Sequence, residues 1–173
     1  MNQTRMNSEI AYCIEYYSLQ NKKIYDNYDL SNDRSQKEAP KFLKISNKED
    51  DPSYNNKEKL LAEFLKEENF FKCEILGAVY LFFNFVESED IPIEIRALNL
   101  WVLFKVCLFI SQKLCSDVSY KIDEFCITTD TNKDDLSILE VHLVLLIFKW
   151  NLGINGRKIE KTEKFLEKIA ILV

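Results

Sequence analysis

Glycine, proline and histidine are scarce here, at three, three and one in 173 residues. Tight turns consume Gly and Pro, so a sandwich or barrel of many short strands is excluded. Gly77, Gly153 and Gly156 form neither a G-x-G-x-x-G nor a Walker spacing, which removes a phosphate-cradling glycine loop. The lone histidine, His142, excludes most His-based metal or triad chemistry. Long apolar runs are missing too. The richest stretch, residues 97–110, is broken by Asn99 and Lys105 and is shorter than the roughly 20 residues a membrane span needs. No apolar signal region follows Met1, and Asn2 stands where N-myristoylation requires glycine. Positive charge is not in excess: the formal net charge of −5 argues against nucleic-acid binding through counterion release. The expectation is a cytoplasmic or nuclear protein with neither a membrane nor a nucleic acid as partner.

The five cysteines, Cys13, Cys73, Cys107, Cys115 and Cys126, are odd in number and form no C-x-x-C. Three lie in apolar runs, where a free Cys acts as a small hydrophobe. They read as reduced, buried thiols of an intracellular protein rather than as metal ligands or a redox centre. Neither a metal nor a cofactor nor a small-molecule ligand is expected.

What remains is an all-α chain with short polar connections. Ile10, Cys13, Ile14, Tyr17 and Leu19 suit an amphipathic helix over residues 8–24. Residues 25–55 are polar and aperiodic, and read as a mobile or extended segment. Residues 57–69 align Leu60, Leu61, Phe64 and Leu65 on one stripe. A more apolar helix follows over 72–87, ended by Ser88-Glu89-Asp90-Ile91-Pro92. Residues 94–115 leave almost no polar face, so this helix is expected to be a central rod wrapped by its neighbours. A short piece over 122–127 precedes a helix over 133–150, which Thr131 or Asn132 can cap and Asp134 and Asp135 favour electrostatically. That helix is expected to bury Leu136, Leu139, Leu143, Val144, Ile147 and Trp150, and to close on Gly153 in the left-handed conformation. A final helix over 157–172 places Ile159, Phe165, Leu166 and Ile169 on one face.

Three pieces of the chain resemble a cyclin box. Ala78-Val79-Tyr80-Leu81 with Asn84-Phe85-Val86 is similar to the second box helix. Cys107-Leu108-Phe109-Ile110-Ser111-Gln112-Lys113 looks like the end of the third, with its characteristic lysine. Asp135-Leu136-Ser137-Ile138-Leu139-Glu140, followed by Leu146 to Leu152, resembles the fifth helix and the close of the box. Asp117, four residues after Lys113, and Phe125-Cys126 bring the segment between closest to cyclin Y and the single-box cyclins of the phosphate-pathway type. The resemblance implies a single box over 56–153, of about five helices around a buried central one. An N-terminal helix and polar segment over 1–55 precede it, and a C-terminal helix over 154–173 packs on it. The sequence departs from the family where an acid and an arginine are expected after the tyrosine of the second helix: Phe82 and Phe83 stand there. The motif by which cell-cycle cyclins recruit substrates is not recognisable.

By this resemblance the partner is a cyclin-dependent kinase, contacted by Lys113, Glu140 and Asp117, and the chain itself is not an enzyme. Lys113 and Glu140 each interrupt an otherwise apolar helix, where an unpaired buried charge would be costly. Side by side they satisfy one another, either as an internal ion pair only or with capacity left for a partner's backbone. Asp117 touches a kinase or merely starts the next helix. His142 reads as packing or surface filler, Phe82 and Phe83 as core or edge packing unless an exposed one anchors a partner, and Trp101 and Trp150 as core. A cyclin-fold scaffold that binds proteins without activating a kinase is the alternative. An enzymatic reading finds no nucleophile, base and acid in a workable pattern.

Overall fold

The computed structural model describes residues 3–26, 65, 70–88, 100–116, 121–129, 131–149 and 151–172. Among these residues every regular element is helical. The helices are α1 (Gln3–Asp26), α2 (Lys72–Val86), α3 (Leu100–Cys115), α4 (Ile122–Thr129), α5 (Lys133–His142) and α6 (Gly156–Leu172). A π-helical turn, Leu143–Ile147, extends α5.

Helix α3 is the axis of the packing. No residue from Leu100 to Gln112 is exposed; Lys113 and Leu114 in the last turn are, and Cys115 after them is half-buried. An apolar helix of this kind is stable only when other helices remove its whole circumference from water. Its main neighbour is α2, which runs antiparallel to it, and α1 and α5 also pack on it. Helix α6 lies against α2 and α1.

Helices α2 and α3 meet closely at Gly77. A methyl group there would stand 2.2 Å from Ser111 Oγ and 3.1 Å from Ile154 Cδ1. Ser111 Oγ uses the space to donate a 2.7 Å hydrogen bond to the Glu74 carbonyl. Away from this contact, rings fill the interior. Phe82 meets Tyr17 of α1 and Phe104 of α3 edge-on, at centroid distances of 6.3 and 6.1 Å. Phe83 meets Tyr17 at 6.0 Å and Phe165 of α6 at 5.0 Å. Edge-to-face pairs are worth about 0.5–1.5 kcal/mol beyond their burial. Phe82 and Phe83 are both buried, as expected of packing residues.

Several boundaries differ from the sequence reading. Helix α1 starts at Gln3, ahead of the expected 8, because Met6 and Asn7 are buried with Ile10 and Ile14. Leu19, expected inside, is 51% exposed. Helix α5 does not run regularly to residue 150: its backbone widens, and the Phe148 N–H donates to the Leu143 carbonyl, five residues back, at 2.8 Å. The chain then leaves through Lys149, whose φ is 46°, while no glycine has a positive φ among the described residues. Lys149, not Gly153, is therefore the left-handed residue. Leu136, Leu139, Leu143 and Val144 are buried as the pattern implied. Trp101 is half-buried rather than fully enclosed, and Phe165 is 42% exposed at the rim of the ring cluster. The helix expected over 57–69, apart from buried Leu65, lies outside the described residues, as do the polar stretch beyond residue 26, Asp117 and Trp150.

Candidate functional site

The site begins with the caps that place its two helices. Asn132 precedes α5 in an extended conformation, and its Oδ1 accepts from the Asp134 and Asp135 N–H groups at 2.9 and 3.2 Å. That fixes the start of α5 and sets Glu140 two turns in. Helix α3 ends where its apolar run ends, at Lys113. The two side chains meet: Lys113 Nζ lies 2.6 Å from Glu140 Oε1. The ammonium also stands 4.1 Å from the centroid of the buried Phe109 ring, one turn earlier in α3. A cation over an aromatic face gains electrostatic attraction from the ring quadrupole. The pair is not entombed, with the lysine and glutamate side chains 40% and 21% exposed.

Both helices carry exposed apolar residues near the pair in sequence. Leu114 beside Lys113, and Val141 and Leu145 on the α5 side, are 47%, 52% and 44% exposed. The arrangement offers the remaining ammonium protons as donors and the second glutamate oxygen as an acceptor. His142 lies nearby on α5 and its Nδ1 is 2.7 Å from the Ile138 carbonyl, a local contact within the helix.

A second group, built around Glu74, lies where the start of α2 meets the end of α3. Glu74 is 2% exposed, and its carboxylate accepts from the Phe71 N–H at 2.9 Å. It thereby satisfies the N–H of Phe71, the residue just ahead of α2. Burial holds the Glu74 carboxyl above its ordinary pKa, while the Phe71 N–H and the Ser116 side chain pull it back. Cys115 Sγ lies 3.8 Å from Ser111 Oγ and 3.8 Å from the Cys73 carbonyl oxygen. The one legible signal was the acid at the third position of α2, where a glutamate often reaches back to the helix start.

All five cysteines are free thiols. Cys13, Cys107 and Cys126 are buried, as expected, but Cys73 and Cys115 are only half-buried. Burial, with help from the Glu9 charge, pushes the Cys13 thiol up to about 12, and burial alone raises Cys107. Among the described residues no three His, Cys, Asp or Glu side chains are grouped to hold a metal ion. Nor is any described helix long and apolar enough to cross a membrane.

Comparison with family models, with curated proteins and with solved structures finds no match to this chain. The likeness to a cyclin box rests on the residues quoted above.

Proposed function

We propose that this chain is a cyclin-like regulatory subunit that binds a cyclin-dependent kinase and activates it by favouring the state with its αC helix turned inward. The observation that supports this reading is the Lys113–Glu140 pair, 2.6 Å apart and partly open to solvent, with side chains 40% and 21% exposed. A buried bridge would serve the fold alone. An exposed one contributes little to the fold, at most about 1 kcal/mol, and keeps its remaining hydrogen-bonding capacity for a neighbour. The kinase supplies the chemistry, which needs the αC glutamate paired with the strand-three lysine. A subunit that binds only the αC-in arrangement shifts the population by its differential affinity. Moving from 1:99 to 99:1 takes about 5.5 kcal/mol. An interface of standard size, roughly 1,600 Å² in total, can supply that.

The test is a Lys113→Ala, Glu140→Ala double variant. Its helical content and the cooperativity of its melting should match the parent, because an exposed ion pair is a minor contributor to folding. Co-purification with the kinase should be lost, along with stimulation of its turnover. A folded double variant that still captures the kinase removes this pair from the interface.

The second reading, a scaffold of the same fold, draws on Phe82 and Phe83. They stand where the family carries an acid and an arginine, and both are buried among rings. A kinase assay on the co-purified complex separates the two, since a scaffold leaves turnover unchanged.

A further inference from the structure

Helices α2 and α3 pair antiparallel, in a register set by contacts at Glu74–Ser111 and Phe82–Phe104. Gly77 faces Ser111, where a methyl group on the glycine would collide with the hydroxyl. One turn toward the start of α2 is Cys73, and one turn toward the end of α3 is Cys115. Since the helices run in opposite directions, these two steps lead to the same place: the cysteines face each other across the interface, just outside the glycine contact. The observed contact agrees, with Cys115 Sγ 3.8 Å from the Cys73 carbonyl oxygen. Disulfides bridge Cα atoms roughly 4.4–6.8 Å apart. Helices ordinarily pack with axes roughly 8–10 Å apart. Because Cα atoms lie about 2.3 Å from each helix axis, facing Cα atoms at that spacing stand closer than the axes do, which is compatible with a disulfide.

We propose that Cys73 and Cys115 form a reversible intramolecular disulfide when the protein meets a small-molecule disulfide such as oxidised glutathione, tying the first turn of α2 to the last turn of α3. Both residues are half-buried and so open to a small reagent, whereas Cys13, Cys107 and Cys126 are buried. The reaction is a double exchange. The Cys115 thiolate attacks one sulfur of the reagent, breaking its S–S bond and releasing one glutathione thiolate. The Cys73 thiolate then attacks Cys115 in the mixed disulfide, forming the protein bond and releasing the second glutathione. The two protons of the protein thiols leave with the two glutathione molecules. The protein loses two electrons, and the reagent gains them. Burial, and the neighbouring Cys73 and Glu74 charges, hold the Cys115 thiol above its ordinary pKa, with Ser111 opposing them. The first exchange is accordingly slow, and selectivity comes from the facing partner rather than from an activated nucleophile. This inference does not rest on the kinase-binding reading.

The full chain incubated with oxidised glutathione, quenched in acid and digested without reductant should yield one dominant linked pair of peptides, carrying Cys73 and Cys115. Two of the five thiols should disappear on titration in denaturant, and dithiothreitol should restore them. The melting temperature of the oxidised protein should rise by about 5 °C or more, because the bond closes a long loop in the unfolded chain. Cys73→Ser should stop the reaction at a glutathione adduct on Cys115, with no linked peptides. Five titratable thiols after incubation would overturn the proposal. So would a stable glutathione adduct on Cys115 in the parent protein, or linked peptides spread over several cysteine pairs.

Discussion

Glu74 is the residue where burial and charge conflict most directly. It is 2% exposed, yet it caps the start of α2 by accepting from the Phe71 N–H. Desolvation is the largest influence on its carboxyl and raises its pKa from 4.5, against the Phe71 and Ser116 hydrogen bonds. A carboxyl whose folded pKa is raised binds its proton more tightly in the native state than in the unfolded one. Its contribution is therefore most favourable at low pH and declines as pH rises from about 4.5 through the folded value. Glu74→Gln keeps an acceptor for the Phe71 N–H but cannot ionise. The stability of the glutamine variant relative to the parent should improve as pH is raised from about 4.5 to 7, since other titrating groups cancel in the difference. Urea unfolding of both proteins at the two pH values measures it. A relative gain by the parent over that interval would show that the hydrogen bonds, not desolvation, dominate this site.

At the scale of one element, α5 shows how a cap and an exposed ion pair at the same helix end differ in weight. Asn132 Oδ1 satisfies two N–H groups that have no partner within the helix. Next to it, Lys133 Nζ lies 2.7 Å from Asp123 Oδ1, but both side chains are more than half exposed. Asn132→Ala should cost about 1 kcal/mol and Asn132→Gly only a few tenths, because glycine tolerates the cap conformation. Lys133→Ala should leave the unfolding midpoint unchanged. Chemical denaturation of the three variants orders them, and an equal loss for Lys133→Ala and Asn132→Ala would contradict the ranking. This cap was readable in the sequence to within one residue, Thr131 or Asn132, as were α2, α3 and the buried stripe of α5, because each carries a local signal: a capping side chain, an apolar run or a 3.6-residue period. The convergence of Lys113 with Glu140 was readable only through the family resemblance, since the two residues lie on separate helices. The end of α5 was not readable. Its π-helical turn and the left-handed Lys149 follow from how the last turn seats Leu143, Val144 and Phe148 in the core, and glycine was the better local guess. The start of α1 was missed for a similar reason: Asn7 is polar, and only tertiary packing puts it inside. Cys73 and Cys115 carry no local motif, and only the α2–α3 register brings them together.

At the scale of the molecule, the ring cluster makes four helices depend on one another. Phe82 of α2 contacts Tyr17 of α1 and Phe104 of α3, and its neighbour Phe83 carries the contact on to Phe165 of α6. Phe82 is 1% exposed, so truncation leaves a cavity rather than a wet pocket. Phe82→Ala should cost about 3–5 kcal/mol, a large share of the roughly 5–15 kcal/mol that holds a typical domain folded. Phe71, at 66% exposure, has little apolar surface to lose, and Phe71→Ala should stay close to the parent. Because the rings join α1 and α6 to the α2–α3 pair, the loss should fall on the whole assembly at once. Far-UV circular dichroism and tryptophan fluorescence, which includes Trp101 on α3, should then report one shared urea transition in the parent and in Phe82→Ala, moved to lower urea in the variant. If the fluorescence transition stays in place while half of the helical signal melts early, α1 and α6 are docked independently of the α2–α3 pair. The cluster would then be a set of separate contacts rather than a common core.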